Sequence, residues 1–120
     1  MNGLTIMMVL HNEAEYAKLS LQSIRRYADV DNLSVVLVDN HSEDGLSEWA
    51  RAQEDITYVY MDEGTLPFGQ AVNQVCQALS PEDDLLLMDA HYRLTPHALS
   101  RLQDTLYQDD KIGAVGGKSN

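Results

Sequence analysis

The sequence predicts an α/β protein with three layers, α/β/α, in which helices cover both faces of a mostly parallel, Rossmann-like sheet. Short apolar runs alternate with amphipathic stretches along the whole chain, and short polar loops separate them. This is the pattern of parallel strands joined by helical crossovers. The chain has 120 residues, a length typical of one compact domain. We therefore expect residues 1–120 to form a single domain.

The opening segment predicts a buried strand followed by an amphipathic helix. Residues 4–10 are almost all apolar, as expected for a strand that is buried on both faces. Asn12 is a suitable N-cap for the helix, and Glu13 and Glu15 would lie in its first turn, where the helix dipole favours negative charge. The apolar positions that recur at helical spacing are Tyr16, Leu19, Ile24 and Tyr27.

The rest of the chain continues the same alternation of strands and helices. The predicted strands lie at residues 33–38, 56–61, 85–88 and 112–115. The predicted helices lie at residues 46–52 and 68–79, with a last helix after Thr95. Thr95 is the expected N-cap of that helix, with Pro96 at its first position, where proline is favoured. Its expected buried residues are Leu99, Leu102 and Leu106.

Composition and charge exclude several classes of protein. The chain has 8 Lys and Arg against 19 Asp and Glu, which gives a formal net charge of −11. Such a surface repels phosphate, so nucleic acid is not an expected partner. A single cysteine, Cys76, excludes an intramolecular disulfide. No apolar run approaches the roughly 18 residues of a membrane helix. We therefore expect a small acidic protein that is located in the cytoplasm.

Polar side chains follow each predicted strand directly, and they are the candidates for a functional site. In a parallel α/β sheet, ligands bind beyond the carboxyl ends of the strands, so these side chains are expected at one rim. A cluster of carboxylates repels itself unless a cation lies among them. The rim residues are His11, Asn12, Glu13, Asp39, Asn40, His41, Asp62, Glu63, Asp89 and His91.

Asp89 and His91 form the most specific pair in this set, because one residue separates them directly after an apolar strand. From an extended segment, two such side chains can face the same way and bind one divalent ion. A carboxylate with an imidazole suits Mn²⁺ better than Mg²⁺, which prefers oxygen ligands. In the alternative interpretation, Asp89 caps a turn and His91 is a solvated loop residue.

Five segments follow one another with an order and spacing that resemble a known family. They are residues 11–14 (His-Asn-Glu-Ala), 36–45 (Val-Leu-Val-Asp-Asn-His-Ser-Glu-Asp-Gly), 68–74 (Phe-Gly-Gln-Ala-Val-Asn-Gln), 86–91 with the following Leu-Thr-Pro, and 113–117 (Gly-Ala-Val-Gly-Gly). In this order the chain resembles the donor-binding half of a family 2 glycosyltransferase with the GT-A fold. The resemblance extends over essentially the whole chain.

The resemblance implies roles for particular residues. Asp39 would accept hydrogen bonds from the nucleotide base, usually uracil; alternatively it only caps the turn over residues 42–45. Asp89 and His91 would flank a Mn²⁺ or Mg²⁺ ion that bridges the two phosphates of the donor. His91 stands where the family motif usually has a second acid. The full set of implied nucleotide-binding residues is Leu10, His11, Glu13, Asp39, Asn40, Asn73, Asp89 and Ala90.

The resemblance implies a metal-dependent glycosyltransferase of the hexosyltransferase type. The donor would be a nucleotide-diphosphate sugar, by analogy a UDP-sugar, and the acceptor would be a glycan or a lipid-linked molecule. The acceptor half and its catalytic base are absent from this chain, so we expect it to bind donor without transferring sugar. Gly116 and Gly117 predict an exposed edge through which the chain could form homo-oligomers. The implied location is the cytoplasm, at the inner membrane face if the missing part attaches there.

Two alternatives from other classes remain open at this point. A signalling receiver domain has about this length and an acidic α/β build, but it needs paired acids after the first strand, where this chain has only Glu13. A non-catalytic binding or scaffolding domain could have the same fold. Metal-dependent binding of UDP would favour the glycosyltransferase, whereas labelling of an Asp by acetyl phosphate would favour the receiver domain.

Overall fold

A computed structural model describes residues 3–62, 64–79 and 82–109. Within these ranges, four strands and four helices alternate along the chain. In order they are β1 (Leu4–Leu10), α1 (Ala14–Tyr27), β2 (Leu33–Asp39), α2 (Leu46–Arg51), β3 (Thr57–Tyr60), α3 (Phe68–Cys76), β4 (Asp84–Leu87) and α4 (Ala98–Leu106). The predicted strand at residues 112–115, the glycines Gly116 and Gly117, and Glu63 lie outside the described residues.

The strands form one parallel sheet in the order β3-β2-β1-β4. In register, Leu10 at the end of β1 pairs with Asp39 at the end of β2, and Met7 pairs with Leu87 at the end of β4. This is the strand order of one half of a Rossmann-type sheet. A receiver domain places its third strand beside the first, whereas here β3 pairs with β2. The sheet order therefore rules out the receiver alternative.

Two hydrophobic clusters lie on opposite faces of the sheet, which confirms the three-layer prediction. Successive side chains of β1 alternate between them, because residues of a strand point to opposite faces. Ile6, Met8 and Leu10 belong to the larger cluster, with α1, α2 and α4, whereas Met7 belongs to the smaller one, with Val72 of α3. Burial on both faces explains why the strands are almost continuously apolar.

The buried side of α1 differs from the prediction. Tyr16 and Leu19 are 47% and 43% exposed. The residues that pack inward are mostly small: Ala14, Ala17, Ser20, Leu21, Ser23 and Ile24. Small side chains let the helix axis lie close to the sheet and leave room for the chain that follows β4. Hydrophobicity alone therefore misidentified the packed face, since two of the larger apolar side chains lie outside it.

The predicted N-cap of α1 is also wrong. Asn12 has a left-handed backbone, φ 53°, and lies outside the helix, which begins at Ala14. The backbone N–H of Ala14 donates to Oδ2 of Asp44, at 2.9 Å, from the loop after β2. Oδ1 of the same carboxylate accepts from the N–H of Leu46 at the start of α2, at 3.3 Å. The Asp44 carboxylate thus accepts hydrogen bonds at the N-termini of two helices, where negative charge is favoured.

The last helix begins later than predicted, at Ala98, so that Thr95 and Pro96 form a turn before it. The N–H of Ser100 in its first turn donates to Oδ1 of Asp29, at 3.1 Å, from the loop after α1. The Ser100 hydroxyl donates to Oδ2 of Asp29 at 2.6 Å. Hence the cap of α4 comes from a distant loop, which local sequence patterns do not reveal.

The remaining differences in element bounds are small. Helix α3 ends at Cys76, three residues before the predicted end, and α2 ends at Arg51. Leu99 is fully buried on α4, whereas Leu102 and Leu106 are only partly buried. Among the described residues, every helix is too short or too polar to span a lipid bilayer.

We predict that Asp29→Ala lowers the free energy of unfolding by about 1 kcal/mol at pH 7, because α4 loses its cap. Hydrogen bonds from Ser100 hold the pKa of Asp29 below its ordinary value. The contribution is therefore complete above the unfolded-state pKa of about 3.9 and is lost as pH falls through the lower folded-state pKa. Urea unfolding at pH 7 and in acid measures the difference between wild type and variant, which should shrink in acid.

Asp31→Ala is the matched control, since Asp31 is an exposed acid two residues further along the same loop. It should leave the unfolding free energy nearly unchanged at both pH values. An equal loss in the two variants, or a loss in Asp29→Ala that persists in strong acid, would contradict the capping role.

Candidate functional site

The loops after β1 and β2 are joined by reciprocal hydrogen bonds. The N–H of Asn12 donates to the Ser42 hydroxyl at 2.9 Å. The N–H of Glu43 donates to the Asn12 side-chain oxygen at 2.8 Å. Together with the bond from Ala14 to Asp44, these contacts fix the start of α1 against the second loop. The segment that carries His11 and Glu13 is therefore held in place before any ligand binds.

Asp39 is fully buried beneath this pair of loops, with 0% exposure. Its Oδ1 accepts from the N–H of Ser42 at 2.7 Å, and its Oδ2 accepts from the Tyr58 hydroxyl at 2.5 Å. Burial, followed by this bond to Asp39, raises the pKa of Tyr58 to about 12. The carboxylate holds the turn at Ser42, as in the alternative interpretation. A contact between Asp39 and a nucleotide base stays a prediction, and it requires the fully buried carboxylate to become accessible.

Asn40 joins three loops. Its side-chain amide donates to the carbonyl of Leu66 at 2.7 Å, and its side-chain oxygen accepts from the N–H of Leu66 at 2.9 Å. Its backbone carbonyl accepts from Nδ1 of His11 at 2.9 Å. This last bond places the proton of a neutral imidazole on Nδ1 and leaves Nε2 as an acceptor, 3.4 Å from the side-chain nitrogen of Asn12.

The loop after β4 is attached to α1 by two buried serines. The Ser20 hydroxyl donates to the carbonyl of Tyr92 at 2.6 Å. The Ser23 hydroxyl accepts from the N–H of Leu94 at 2.8 Å. Between these points and the strand, Ala90 is buried in the larger hydrophobic cluster. This anchoring directs the neighbouring side chains, Asp89 and His91, away from the core, where both are exposed.

Glu13, Asp89 and His91 converge at the edge of the sheet. One ligand atom from each lies within 4.8 Å of the others. Nδ1 of His91 is 2.8 Å from Oδ1 of Asp89 and 3.5 Å from Oε2 of Glu13. The backbone N–H of His91 also donates to Oδ1 of Asp89 at 2.8 Å. These bonds, the backbone one first, hold the pKa of Asp89 below its ordinary value.

The donor set of this cluster fits a divalent cation. Two carboxylates and an imidazole are ligands that Mn²⁺ accepts, and their spacing lets one ion touch all three after small side-chain rotations. The sequence predicted that Asp89 and His91 bind a metal, whereas Glu13 was expected only in the nucleotide pocket. Glu13 could have been added to the metal ligands only by knowing that β1 and β4 are parallel neighbours, since the segments that follow them then lie at the same edge of the sheet.

A cleft of about 410 Å³ opens beside the cluster. Its lining is mixed: apolar side chains come from β1, from β4 and from the rings of Phe68 and Tyr92, and two carboxylates come from Glu13 and Asp89. The lining residues are Met7, Val9, Leu10, His11, Glu13, Asn40, Phe68, Leu87, Met88, Asp89 and Tyr92. Such a site suits a ligand with an uncharged part and a metal-bound anionic part.

The structure brings together only part of the predicted site. Five of the predicted residues line the cleft: Leu10, His11, Glu13, Asn40 and Asp89. Asp39 and Ala90 are buried and do not line it. Asn73 is exposed on α3 and is also not among the lining residues. The ring of His41 lies toward β3, with Nδ1 3.2 Å from the Met61 carbonyl.

The chain matches a described protein family and has similar solved structures. The model of the family described as "Glycosyl transferase family 2" matches residues 5–118. No curated protein matches the chain significantly.

Two solved structures share the fold. One is the mannosyltransferase PcManGT from Pyrobaculum calidifontis in complex with GDP-Man and Mn²⁺, with 22% identity, a TM-score of 0.73 and 88% of this chain covered. The other is S. aureus TarS 1–349, with 16% identity, a TM-score of 0.70 and 87% of this chain covered. The chain spans 32% of the length of each. The predicted GT-A fold is therefore confirmed.

We predict that Asn40→Ala lowers the free energy of unfolding by about 1 kcal/mol, because the partly buried N–H and C=O of Leu66 both lose their partner. Hydrogen exchange of the Leu66 amide should become faster, which would report the release of the loop before α3. Asn73→Ala is the control: its side chain is exposed, so the change in stability should stay within about 0.5 kcal/mol. A slow Leu66 amide in Asn40→Ala would refute this role.

Proposed function

This chain belongs to glycosyl transferase family 2, and we propose that it binds a nucleotide-diphosphate sugar through a divalent cation held by Glu13, Asp89 and His91. The convergence of these three side chains beside a cleft is the observation that carries the proposal. The whole protein would transfer the sugar to the hydroxyl of a glycan or lipid-linked acceptor.

The cation is needed for electrostatic reasons. A chain with a formal net charge of −11 repels a diphosphate, and Glu13 and Asp89 add negative charge at the mouth of the cleft. A divalent ion held by Glu13, Asp89 and His91 would offset that repulsion. We propose Mn²⁺ rather than Mg²⁺, because the third ligand is an imidazole nitrogen. When bound, the ion would also stabilise negative charge on the departing nucleoside diphosphate.

The cleft supplies the rest of the donor site. We assign the nucleoside, with uracil as the expected base, to the end of β1, where Leu10 and His11 line the cleft. The Nε2 acceptor of His11 would receive a hydrogen bond from the ligand in place of its 3.4 Å contact with the side-chain nitrogen of Asn12, since Nδ1 is already bound to Asn40. Asp39 contributes by holding the turn at Ser42, which in turn fixes Asn12 and the backbone beside His11.

The transfer step itself requires groups beyond these. The acceptor hydroxyl attacks the anomeric carbon of the donor while a general base removes its proton. None of the described residues is assigned as that base. We place the base and the acceptor site in a further part of the parent protein, in keeping with a chain that spans 32% of the solved structures. In this proposal the chain alone binds donor but does not transfer sugar.

We predict that UDP binds this chain only with Mn²⁺ present, as measured by titration calorimetry with and without the metal. Asp89→Ala should weaken metal-dependent UDP binding by more than about tenfold, since it removes a ligand and its partner for His91. Asp62→Ala is the matched control, because Asp62 is an exposed acid that follows β3, outside the metal cluster.

Three results of this titration carry different meanings. Equal UDP binding with and without Mn²⁺ would overturn the metal role. The same loss in Asp62→Ala as in Asp89→Ala would show that only overall charge matters. If GDP, titrated in the same way, bound more tightly than UDP, guanine would replace uracil as the proposed base and the metal site would be unaffected.

A further inference from the structure

The side chain of Tyr16 packs on the imidazole of His91. The two ring centroids are 4.2 Å apart, and the ring planes are tilted by 53°. Tilted pairs at such distances are favourable contacts between aromatic rings. Tyr16 is 47% exposed and is not among the buried residues of α1, so its ring does not fill the hydrophobic core. Its position is explained instead by the contact with His91.

Besides the contacts of Nδ1 with Asp89 and Glu13, the imidazole of His91 is restrained by the ring of Tyr16. The His91 side chain is 56% exposed and extends from a loop. Ser20, one helical turn after Tyr16, bonds to the carbonyl of Tyr92 and so holds the backbone next to His91. Residues four apart lie on the same side of a helix. Helix α1 thus holds the loop backbone through Ser20 and the imidazole ring through Tyr16.

The orientation of that ring decides which atoms face the cation. With the ring against Tyr16, Nδ1 points at the carboxylates of Asp89 and Glu13, at 2.8 and 3.5 Å. If the ring turned toward solvent, the cluster would keep only the two carboxylates. A carboxylate pair discriminates weakly between Mg²⁺ and Mn²⁺, whereas an added imidazole favours Mn²⁺.

We propose that Tyr16 is a positioning residue for His91, and that through this contact it sets the preference of the site for Mn²⁺ over Mg²⁺. The inference rests on the metal site of the proposed function and adds the residue that determines its selectivity. Tyr16 does not touch the cation in this assignment. It acts only by keeping the imidazole turned inward.

The first test compares the affinities of two metals in four proteins. Calorimetry with MnCl₂ and with MgCl₂ is carried out on wild type, Tyr16→Ala, Tyr16→Phe and Leu19→Ala. Tyr16→Ala should weaken Mn²⁺ binding by roughly tenfold and change Mg²⁺ binding little, so that the ratio of the two dissociation constants falls. Tyr16→Phe keeps the ring and should retain the wild-type ratio. Leu19→Ala removes another exposed apolar side chain of α1 and should also retain it.

The second test observes the imidazole directly. Electron spin-echo spectroscopy of bound Mn²⁺ detects the nitrogen of a coordinated histidine. The nitrogen modulation should be present in wild type and in Tyr16→Phe, absent in His91→Ala, and strongly reduced in Tyr16→Ala. A general loss of stability would not remove this signal selectively, because the spectrum reports only on protein that has bound metal.

The outcomes separate this inference from the proposed function. Wild type that fails to bind Mn²⁺ overturns both. Wild type that binds Mn²⁺, together with a Tyr16→Ala variant that keeps the wild-type metal ratio and nitrogen modulation, overturns only the role of Tyr16. Circular dichroism checks that the variants fold. Should Tyr16→Ala fail to fold, Tyr16→Leu, which keeps the bulk but not the ring, replaces it in both tests.

Discussion

The polar backbone of the loops beyond the sheet imposes the constraint on which this structure depends. Four parallel strands end at one rim, and the chain must turn there without leaving buried N–H and C=O groups unpaired. Short polar side chains from neighbouring loops meet this need: Asn12 and Asp39 pair with the loop at Ser42, and Asn40 pairs with both backbone groups of Leu66. The rim is therefore a network in which each loop holds the next.

This network divides the polar residues of the rim into two groups. Asp39 and Asn40 are buried, and their side chains bond to the protein itself. Glu13, Asp89 and His91 are partly or well exposed and lie at the open side. In the first group, each buried side-chain oxygen and nitrogen has a hydrogen-bond partner within the protein. The second group concentrates negative charge in the absence of a ligand, and that is where a cation would bind.

Sequence patterns identified the strands well and the caps poorly, for a physical reason. An apolar run such as Leu4–Leu10 is a local signal, because burial on both faces leaves little room for polar residues. The caps depend on contacts between distant residues. Asp44 accepts a hydrogen bond from the N–H of Ala14, thirty positions away, and Asp29 accepts one from the N–H of Ser100, seventy-one positions away. The fold class and the mostly parallel sheet follow from local periodicity and from the family resemblance. Which acid reaches which helix follows only from the packed structure.

The cluster of Glu13, Asp89 and His91 shows how strand pairing brings together side chains that no single motif contains. Glu13 follows β1, and Asp89 and His91 follow β4, more than seventy residues later. Parallel pairing of β1 with β4 brings the segments that follow the two strands to the same edge of the sheet, where the three side chains meet. Helix α1 then completes the arrangement, since Glu13 directly precedes its first residue and Tyr16, in its first turn, lies against His91. A change that shifts α1 along the sheet would move Glu13 and the support of His91 together. The geometry of the site is thus set by how α1 packs, and for this reason the small residues Ala17 and Ser20 on its buried side matter as much as the ligands.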